Sequence, residues 1–226
     1  MGIKERQERG KEVVRRAILD AARELFVNEG YANVSIRKIA DRIEYSPAAI
    51  YGYFASKDDI FFALADEGFR LLYGDSATSA ALSVLPPLER IRTMLWRFYE
   101  YSCEHPQYFA LMFIDRSVPR ISREYERFTF ARQTKEQLIV HLQSCSDAGV
   151  LPKDLHPAVA FRVLTTALLG VAVLRLSDRV APGENADDLA KDVLNVAIAG
   201  LQAGLTLRSH HAACLLDAPD QTAPDE

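Results

Sequence analysis

The side chains with the greatest capacity for catalysis or metal binding are the five histidines and three cysteines. Cys103, Cys145 and Cys214 are far apart and odd in number, so their spacing favours unpaired thiols in a reducing compartment. His210, His211 and Cys214 are close enough in sequence to share a metal ion, but they lack a fourth ligand. We therefore predict that the protein binds no metal.

Sequence signatures of enzymes are also missing. The chain contains no glycine-rich phosphate loop, no His-x-x-x-His pair of metal ligands at helical spacing and no Gly-x-Ser-x-Gly elbow. The five histidines have no evident carboxylate or nucleophile partner. We therefore predict a protein that is not an enzyme and that needs no cofactor.

The polar residues of the stretch 35–54 lie on two predicted short helices. Ser35 has the character of an N-cap, and the apolar residues after it recur on one side of a helix about two turns long. Those apolar residues are Ile36, Ile39, Ala40 and Ile43. Ser46 followed by Pro47 is a favoured start of a second helix. Two short helices joined in this way form either a helix-turn-helix, whose second helix enters the major groove of DNA, or an αα-corner that binds nothing.

The sequence on both sides of this stretch favours the helix-turn-helix over the αα-corner. Residues 18–26 (ILDAARELF) run into residues 28–31 (NEGY), and residues 51–60 (YGYFASKDDI) open another helix. This ordered set resembles the DNA-binding domain of the tetracycline-repressor (TetR) family over roughly residues 12–64. A looser similarity of length and helical pattern extends to the remainder of the chain.

The resemblance implies that the helix-turn-helix and the start of the following helix contact double-stranded DNA. Arg37 matches a position that can reach a base edge, where a guanidinium binds guanine O6 and N7 together; a phosphate contact is the alternative. Lys57 matches the family lysine that meets a phosphate at a helix N-terminus. Tyr53 and Tyr51 can bond phosphates, although Tyr51 also suits core packing. The predicted DNA-binding residues are Ser35, Arg37, Lys38, Tyr45, Ser46, Pro47, Ala48, Ala49, Tyr51, Gly52, Tyr53 and Lys57.

Glu44 departs from the family pattern, which usually has glycine at this turn. A residue other than glycine either adopts a left-handed conformation there, at a cost of about 1 kcal/mol, or takes another turn shape. The glutamate also brings a negative charge near the DNA. Both turn geometries remain open from the sequence.

The composition and charge of the chain are compatible with a soluble DNA-binding regulator, but other soluble proteins share them. The 226 residues are 49% hydrophobic and 26% charged, as in ordinary globular proteins. Net charge is −4, yet residues 1–60 hold 11 Lys and Arg against 10 Asp and Glu, so the charge permits DNA binding. The N-terminus lacks the apolar core of a secretion signal, and we predict a cytoplasmic location.

The predicted fold is all-α and has two domains. Residues 1–60 form a three-helix helix-turn-helix domain, residues 61–207 a larger ligand-binding and dimerisation domain, and residues 208–226 a disordered tail. The first helix is predicted over 4–29, with a left-handed C-cap at Gly30. The residues predicted to share its buried face are Val13, Ala17, Ala21, Leu25 and Phe26.

Aromatic residues are frequent in the second domain, and most of them must be core. A mostly apolar pocket needs only some of them, together with a few polar groups. Helix positions and the family resemblance select Trp96, Tyr99, Tyr125, Phe128, Phe161 and Arg162 as the lining. The expected effector is a small hydrophobic or aromatic molecule with at most one anionic end for the arginine.

Two apolar runs, residues 158–176 and 193–205, close the second domain. Arg162 and Arg175 interrupt the first and the second is short, so we predict no membrane span. Small residues permit close helix approach, and the pair is predicted to form a four-helix homodimer interface, as the resemblance also implies. The alternative is a core within one chain. The predicted interface residues are Leu168, Val171, Leu194, Ile198, Ala199, Gly200, Leu201, Ala203 and Gly204.

These patterns predict a ligand-responsive, homodimeric transcriptional regulator of the repressor type. A twofold dimer would match a palindromic operator and would be released by the small effector. The alternatives are a ligand-blind DNA-binding architectural protein and an all-helical enzyme.

Overall fold

A computed structural model describes residues 2–73, 82–119 and 128–207. Within these residues the chain forms nine α-helices and no strand, which confirms the predicted all-α class. The helices are α1 (Ile3–Glu29), α2 (Ile36–Arg42), α3 (Pro47–Tyr51), α4 (Lys57–Tyr73), α5 (Pro87–Glu104), α6 (Pro106–Phe113), α7 (Thr129–Asp147), α8 (Pro157–Leu176) and α9 (Ala186–Gln202). Tyr125 and the predicted tail, with His210, His211 and Cys214, lie outside the described residues.

Three serines cap the starts of α2, α3 and α4, two of them, Ser35 and Ser46, as predicted. The Ser35 Oγ accepts a hydrogen bond of 3.2 Å from the amide of Lys38, and the Ser46 Oγ accepts one of 3.2 Å from the amide of Ala49. The Ser56 Oγ accepts from the Asp59 amide at 3.1 Å. Each cap satisfies an amide that has no partner within its own helix, so α2, α3 and α4 begin where the local sequence specifies.

The buried face of α1 agrees with the predicted one except at Val13. Ala21 and Phe26 are buried, and Ala17 and Leu25 are half-buried. Val13 is 70% exposed, so this part of α1 presents an apolar side chain to solvent. Gly30 ends the helix with φ 81° and ψ 143°. Its φ is positive, as predicted, but its ψ lies far from the left-handed helical region, so the conformation is one that glycine adopts readily.

Packing divides the protein into two units that do not follow a boundary at residue 60. The first unit comprises α1 to α4, α6, the end of α5 from Tyr101 and the start of α7 as far as Arg132. The second comprises α5 as far as Glu100, α7 from Gln133, α8 and α9. The first unit is larger than the predicted DNA-binding domain because α4 contacts both α1 and α6.

The second unit is built on α8 and α9, which pack against each other along their lengths. Five residues assigned to the dimer interface are buried in this intrachain core, with exposures of 4% or less. They are Leu168, Val171, Leu194, Ile198 and Leu201. These five side chains pack mainly within their own chain, in agreement with the alternative of a core within one chain.

The four small residues of the predicted interface have different environments. Ala199 and Ala203 are exposed, and Gly200 is half-buried. Gly204 follows the end of α9 with φ 71°, a conformation typical of a residue that terminates a helix. Among the helices of the described residues only α8 is long and apolar enough to cross a membrane, with a mean hydropathy of 1.9. A helix buried in a core passes the same test, and six residues of α8 are buried within the chain.

Candidate nucleic-acid interface

The candidate interface surrounds a compact core made by α1, α2 and α3. Ile39 and Ala40 of α2 and Ile50 of α3 are fully buried, and α2 contacts both α1 and α3. Because α3 has only five residues, these contacts must hold it in place. The apolar residues of the two short helices thus fix the orientation of the polar ones.

All twelve predicted DNA-binding residues are at least partly open to solvent. Ser35, Arg37, Lys38, Tyr45, Ser46, Ala48, Tyr51 and Gly52 are exposed, whereas Pro47, Ala49, Tyr53 and Lys57 are half-buried. Tyr51, for which core packing was an alternative, is 57% exposed. Its hydroxyl is therefore available to a phosphate or a base.

The three cations of α2 differ in their partners. Lys38 binds the carboxylate of Glu29, and the Arg42 guanidinium donates to Glu24 at 2.7 Å. Arg37 is exposed and makes no hydrogen bond or ion pair with any residue in the described part of the chain. Its guanidinium is not neutralised by a neighbouring carboxylate and has all its donors available for a nucleic acid.

Lys57 is engaged within the protein. Its Nζ donates to the carbonyl oxygen of Tyr31 at 2.9 Å and lies 4.0 Å from the centre of the Tyr31 ring. The Tyr31 hydroxyl in turn donates to Asp58. Burial and the hydrogen bond to Asp58 raise the pKa of Tyr31, which therefore stays protonated as the donor. Lys57 thus joins the start of α4 to the connection between α1 and α2.

Tyr31 holds Lys57 and Asp58 in place at the start of α4, a role that the sequence analysis did not assign to it. Its ring is 5% exposed and packs against Phe26, with ring centres 4.9 Å apart. It lies in a single 3-10 turn, Tyr31–Asn33, between α1 and α2. The only signal in the sequence is an aromatic residue directly after Gly30, and that signal does not reveal the bond to Lys57.

Glu44 takes the left-handed of the two conformations considered. Its φ is 59°, and the following amide, that of Tyr45, donates to the carbonyl oxygen of Ala40 at 2.9 Å. The turn therefore keeps the shape that glycine would adopt without strain. The side chain is exposed, so its charge remains beside α3.

We expect Glu44→Gly to stabilise the protein by about 0.5–1 kcal/mol, because relief of about 1–2 kcal/mol of left-handed strain exceeds the extra unfolded-state entropy of glycine. Glu44→Ala is the matched control, since it removes the charge but keeps the strain. Both variants should bind DNA of any sequence more tightly, but only the glycine variant should have a raised midpoint in denaturant unfolding. A clear loss of stability in Glu44→Gly would show that Glu44 makes a stabilising contact.

An ion pair connects α1 to α4, and a hydrogen bond connects α1 to α6, within the first unit. The Arg16 guanidinium donates to both carboxylate oxygens of Glu67 on α4 at 2.8 Å and also to Asp20. The hydrogen bond from Arg16 lowers the pKa of Asp20. Arg23 donates to the Tyr108 hydroxyl on α6 at 2.9 Å. These contacts fix the orientation of α1, and the sequence did not predict that α6 takes part.

The described residues of the predicted effector pocket are divided between the two units. Phe128 is 1% exposed in the first unit, where its ring packs 5.8 Å from Phe62 and 5.5 Å from Phe69. Tyr99 is 1% exposed in the core of the second unit, and its hydroxyl donates to Asp187 at 2.8 Å. Each of the two rings therefore packs in the core of its own unit. The sequence pattern was ambiguous because an aromatic ring at helical spacing is as typical of a core as of a pocket. Trp96, Phe161 and Arg162 are half-buried in the second unit.

Comparison with protein families supports the assignment of this region. Residues 18–64 match the family described as bacterial regulatory proteins, tetR family. The matched segment begins at the first buried residue of α1 and ends within α4, so it coincides with the helices that form and flank the candidate interface.

Two curated relatives are regulators of transcription. An HTH-type transcriptional repressor of Mycobacterium tuberculosis is 45% identical over 53 residues, which cover 24% of this chain and 28% of that protein. The HTH-type transcriptional regulator BetI of Rhizobium meliloti is 29% identical over 157 residues, which cover 67% of this chain and 75% of that protein. The match with the higher sequence identity, that to the M. tuberculosis repressor, therefore spans only 28% of the length of that protein.

Solved structures share the fold over a greater length. The TetR family transcriptional regulator PfmR of Thermus thermophilus has a TM-score of 0.62 at 24% identity and covers 81% of this chain and 98% of its own. The transcriptional regulator FadR of Bacillus subtilis, in complex with stearoyl-CoA, has a TM-score of 0.67 at 16% identity, with coverages of 82% and 98%. At these identities the likeness establishes the helical fold of both units and nothing more specific.

Proposed function

Because the chain belongs to the tetR family of bacterial transcriptional regulators, we propose that it is a cytoplasmic, homodimeric repressor. It binds a palindromic operator and leaves it when a small hydrophobic or aromatic effector binds. The observation that carries the proposal is the matched helix-turn-helix with its exposed Arg37, which has no ion pair among residues 2–73, 82–119 and 128–207. A guanidinium without an internal carboxylate partner suits direct hydrogen bonding to a base edge or a phosphate.

Exposed apolar residues on α8 and α9 support the homodimer. Val196 of α9 is 72% exposed and Leu174 of α8 is 38% exposed, while the opposite sides of both helices form the intrachain core. Apolar side chains on adjacent helices favour contact with a second protein surface. In a twofold dimer the same two helices would meet from each chain, and two helix-turn-helix elements would face a palindrome.

The effector part of the proposal depends on a difference in affinity. A ligand can release DNA only by binding the released state more tightly, and a hundredfold preference contributes about 2.7 kcal/mol per site. The second unit, with its half-buried Trp96, Phe161 and Arg162, is the proposed location. A ligand-blind architectural protein would bind DNA equally in the presence of every small molecule.

Selection of tight-binding sequences from random DNA tests the proposal. We expect enrichment of inverted repeats with half-site centres about one DNA turn or a multiple apart. The dimer should bind each enriched duplex in an anisotropy titration, and one class of hydrophobic molecules should weaken that binding. Enrichment of single half-sites or of no sequence would contradict the proposal.

Arg37→Ala is expected to weaken operator binding by about 1–3 kcal/mol per lost bidentate contact and to relax the preference at one base pair. The measurement is anisotropy with the operator and with duplexes mutated at each position. If binding to every sequence falls equally, Arg37 contacts only phosphate.

Lys57→Ala is the comparison for Arg37→Ala, since a phosphate contact carries no sequence information. It should weaken binding to all DNA about equally and reduce the slope of affinity against salt by about one unit. It should also lower the thermal stability slightly, because the bond to the Tyr31 carbonyl is lost. A changed base preference in this variant would assign specificity to the start of α4.

A further inference from the structure

A groove on the second unit separates α5 from α9. Its walls are Arg92, Thr93 and Trp96 of α5 and Lys191, Leu194 and Asn195 of α9. Its volume is about 320 Å³, at the lower end of the range of about 300–1,000 Å³ for ligand pockets. We call it the α5–α9 groove.

The floor of the α5–α9 groove is apolar. The Trp96 indole N–H already donates to Glu100 at 3.0 Å, so the ring needs no polar partner from a ligand. The ring packs on Tyr99, with centres 5.1 Å apart, and Leu194 beside it is 4% exposed. A rigid indole and a buried leucine offer a surface for an alkyl chain or an aryl ring.

Two cations line this groove, one on each helix. The Arg92 guanidinium of α5 donates to the amide oxygen of Asn195 on α9, which holds it over the groove. The Lys191 Nζ of α9 lies 5.9 Å from the centre of the Trp96 ring. Positive charge therefore lies on both walls, next to an apolar floor.

The acidic neighbours of these cations bind them weakly. Arg92 is 3.7 Å from Glu89, and Lys191 is 3.1 Å from Asp188, each one turn away on the same helix. The side chains of both carboxylates are more than half exposed, at 58% and 68%. Solvent-exposed pairs of this kind contribute little, so a carboxylate lying in the groove can displace them. The planar guanidinium can then donate two parallel hydrogen bonds to it.

We propose that the α5–α9 groove binds a small carboxylate that carries one apolar group, with the carboxylate between Arg92 and Lys191 and the apolar group on Trp96 and Leu194. The proposal rests on the second unit alone and does not require that the chain bind an operator. Val196, on which the proposed dimer depends, lies about 100° around α9 from Asn195, on a different side of the helix.

Trp96 is the only tryptophan of the chain, so its fluorescence reports on the groove directly. The probes are octanoate and its neutral, nearly isosteric amide, octanamide. Octanoate should change the emission in a saturable manner and should bind at least about tenfold more tightly than octanamide, because only the carboxylate makes charge-assisted hydrogen bonds. Equal affinities, or a change that does not saturate, would overturn the proposal.

Variants of the full chain locate the probe. Arg92→Gln and Lys191→Gln should each weaken octanoate binding by about fivefold or more. The matched control is Arg97→Gln on the same helix; Arg97 is exposed, lies outside the groove and has no hydrogen bond or ion pair within the described part of the chain. It should bind octanoate like the wild type. If Arg92→Gln and Lys191→Gln do so as well, octanoate binds elsewhere and the proposal fails. Random-sequence DNA selection on the same preparation reports separately on operator binding.

Discussion

Gly68→Ala is expected to lower the free energy of unfolding of the first unit by up to about 2 kcal/mol, although alanine is the better helix former. A Cβ at this position of α4 would lie 2.3 Å from the Met112 sulfur and 2.9 Å from the Tyr101 hydroxyl. Both neighbours are buried. Overpacking of about 1–3 kcal/mol then exceeds a gain in helix propensity of about 1 kcal/mol.

Gly10→Ala is the matched control for Gly68→Ala. Gly10 is also in the interior of a helix, but nothing lies within 4 Å of the position of its Cβ. It should be neutral or stabilising by up to about 1 kcal/mol. Urea unfolding of both variants gives the comparison. If Gly68→Ala is as stable as Gly10→Ala, then α4 and α6 are not packed as closely as described.

This close approach of α4 to α6 bears on DNA binding as well as on stability. The helix α4 begins at Lys57, beside the candidate interface, and is joined to α1 by the bonds between Arg16 and Glu67. On α6, Tyr108 binds Arg23 of α1. A shift of α6 therefore requires a shift of α1, of α4 or of both. We expect Gly68→Ala to reduce operator affinity more than its loss of stability alone would explain.

Val196→Asp should convert the proposed homodimer into monomers. A twofold interface would contain two copies of the new carboxylate, each removed from water without a partner, at a combined cost of several kcal/mol. We expect the dissociation constant of the dimer to rise by at least about a hundredfold, or about 2.7 kcal/mol. Sedimentation velocity over a range of concentrations measures this, and operator binding should fall with it.

The same substitution at Val140 provides the control, since Val140 on α7 is also exposed, at 61%. Val140→Asp should leave the dimer and its operator affinity unchanged within about twofold, because an exposed surface substitution rarely changes stability by more than about 0.5 kcal/mol. An intact dimer in Val196→Asp would place the interface away from this side of α9.

The sequence by itself determined the helix starts and the helix-turn-helix. The Ser35, Ser46 and Ser56 caps each bind an amide three residues ahead, so their whole environment lies within one helical turn. The same holds for Pro47 at the first position of α3. Such local chemistry, repeated in the order of a known family, is sufficient to predict an all-α chain with a DNA-binding element.

The bond of Lys57 required a distant segment, whereas the turn at Glu44 is local. The Tyr45 amide donates to the carbonyl of Ala40 and the Glu44 amide to that of Asp41, which is the pattern of a helix C-cap with a left-handed residue. The sequence left this turn open because the residue in the left-handed position is not glycine. Lys57 is 26 residues from Tyr31 in sequence. A lysine at a helix N-terminus is equally suited to a phosphate or to a backbone carbonyl, and only the fold provided the carbonyl.

Tertiary structure alone also divided the apolar residues between core and surface. Leu194 and Val196 are two positions apart on α9, yet the first is 4% exposed and the second 72%. Phe128 packs in the first unit and Trp96 lines a groove in the second. An apolar side chain carries no directional group that selects its partner, so its role is determined by which helices pack around it, and those helices come from distant parts of the chain.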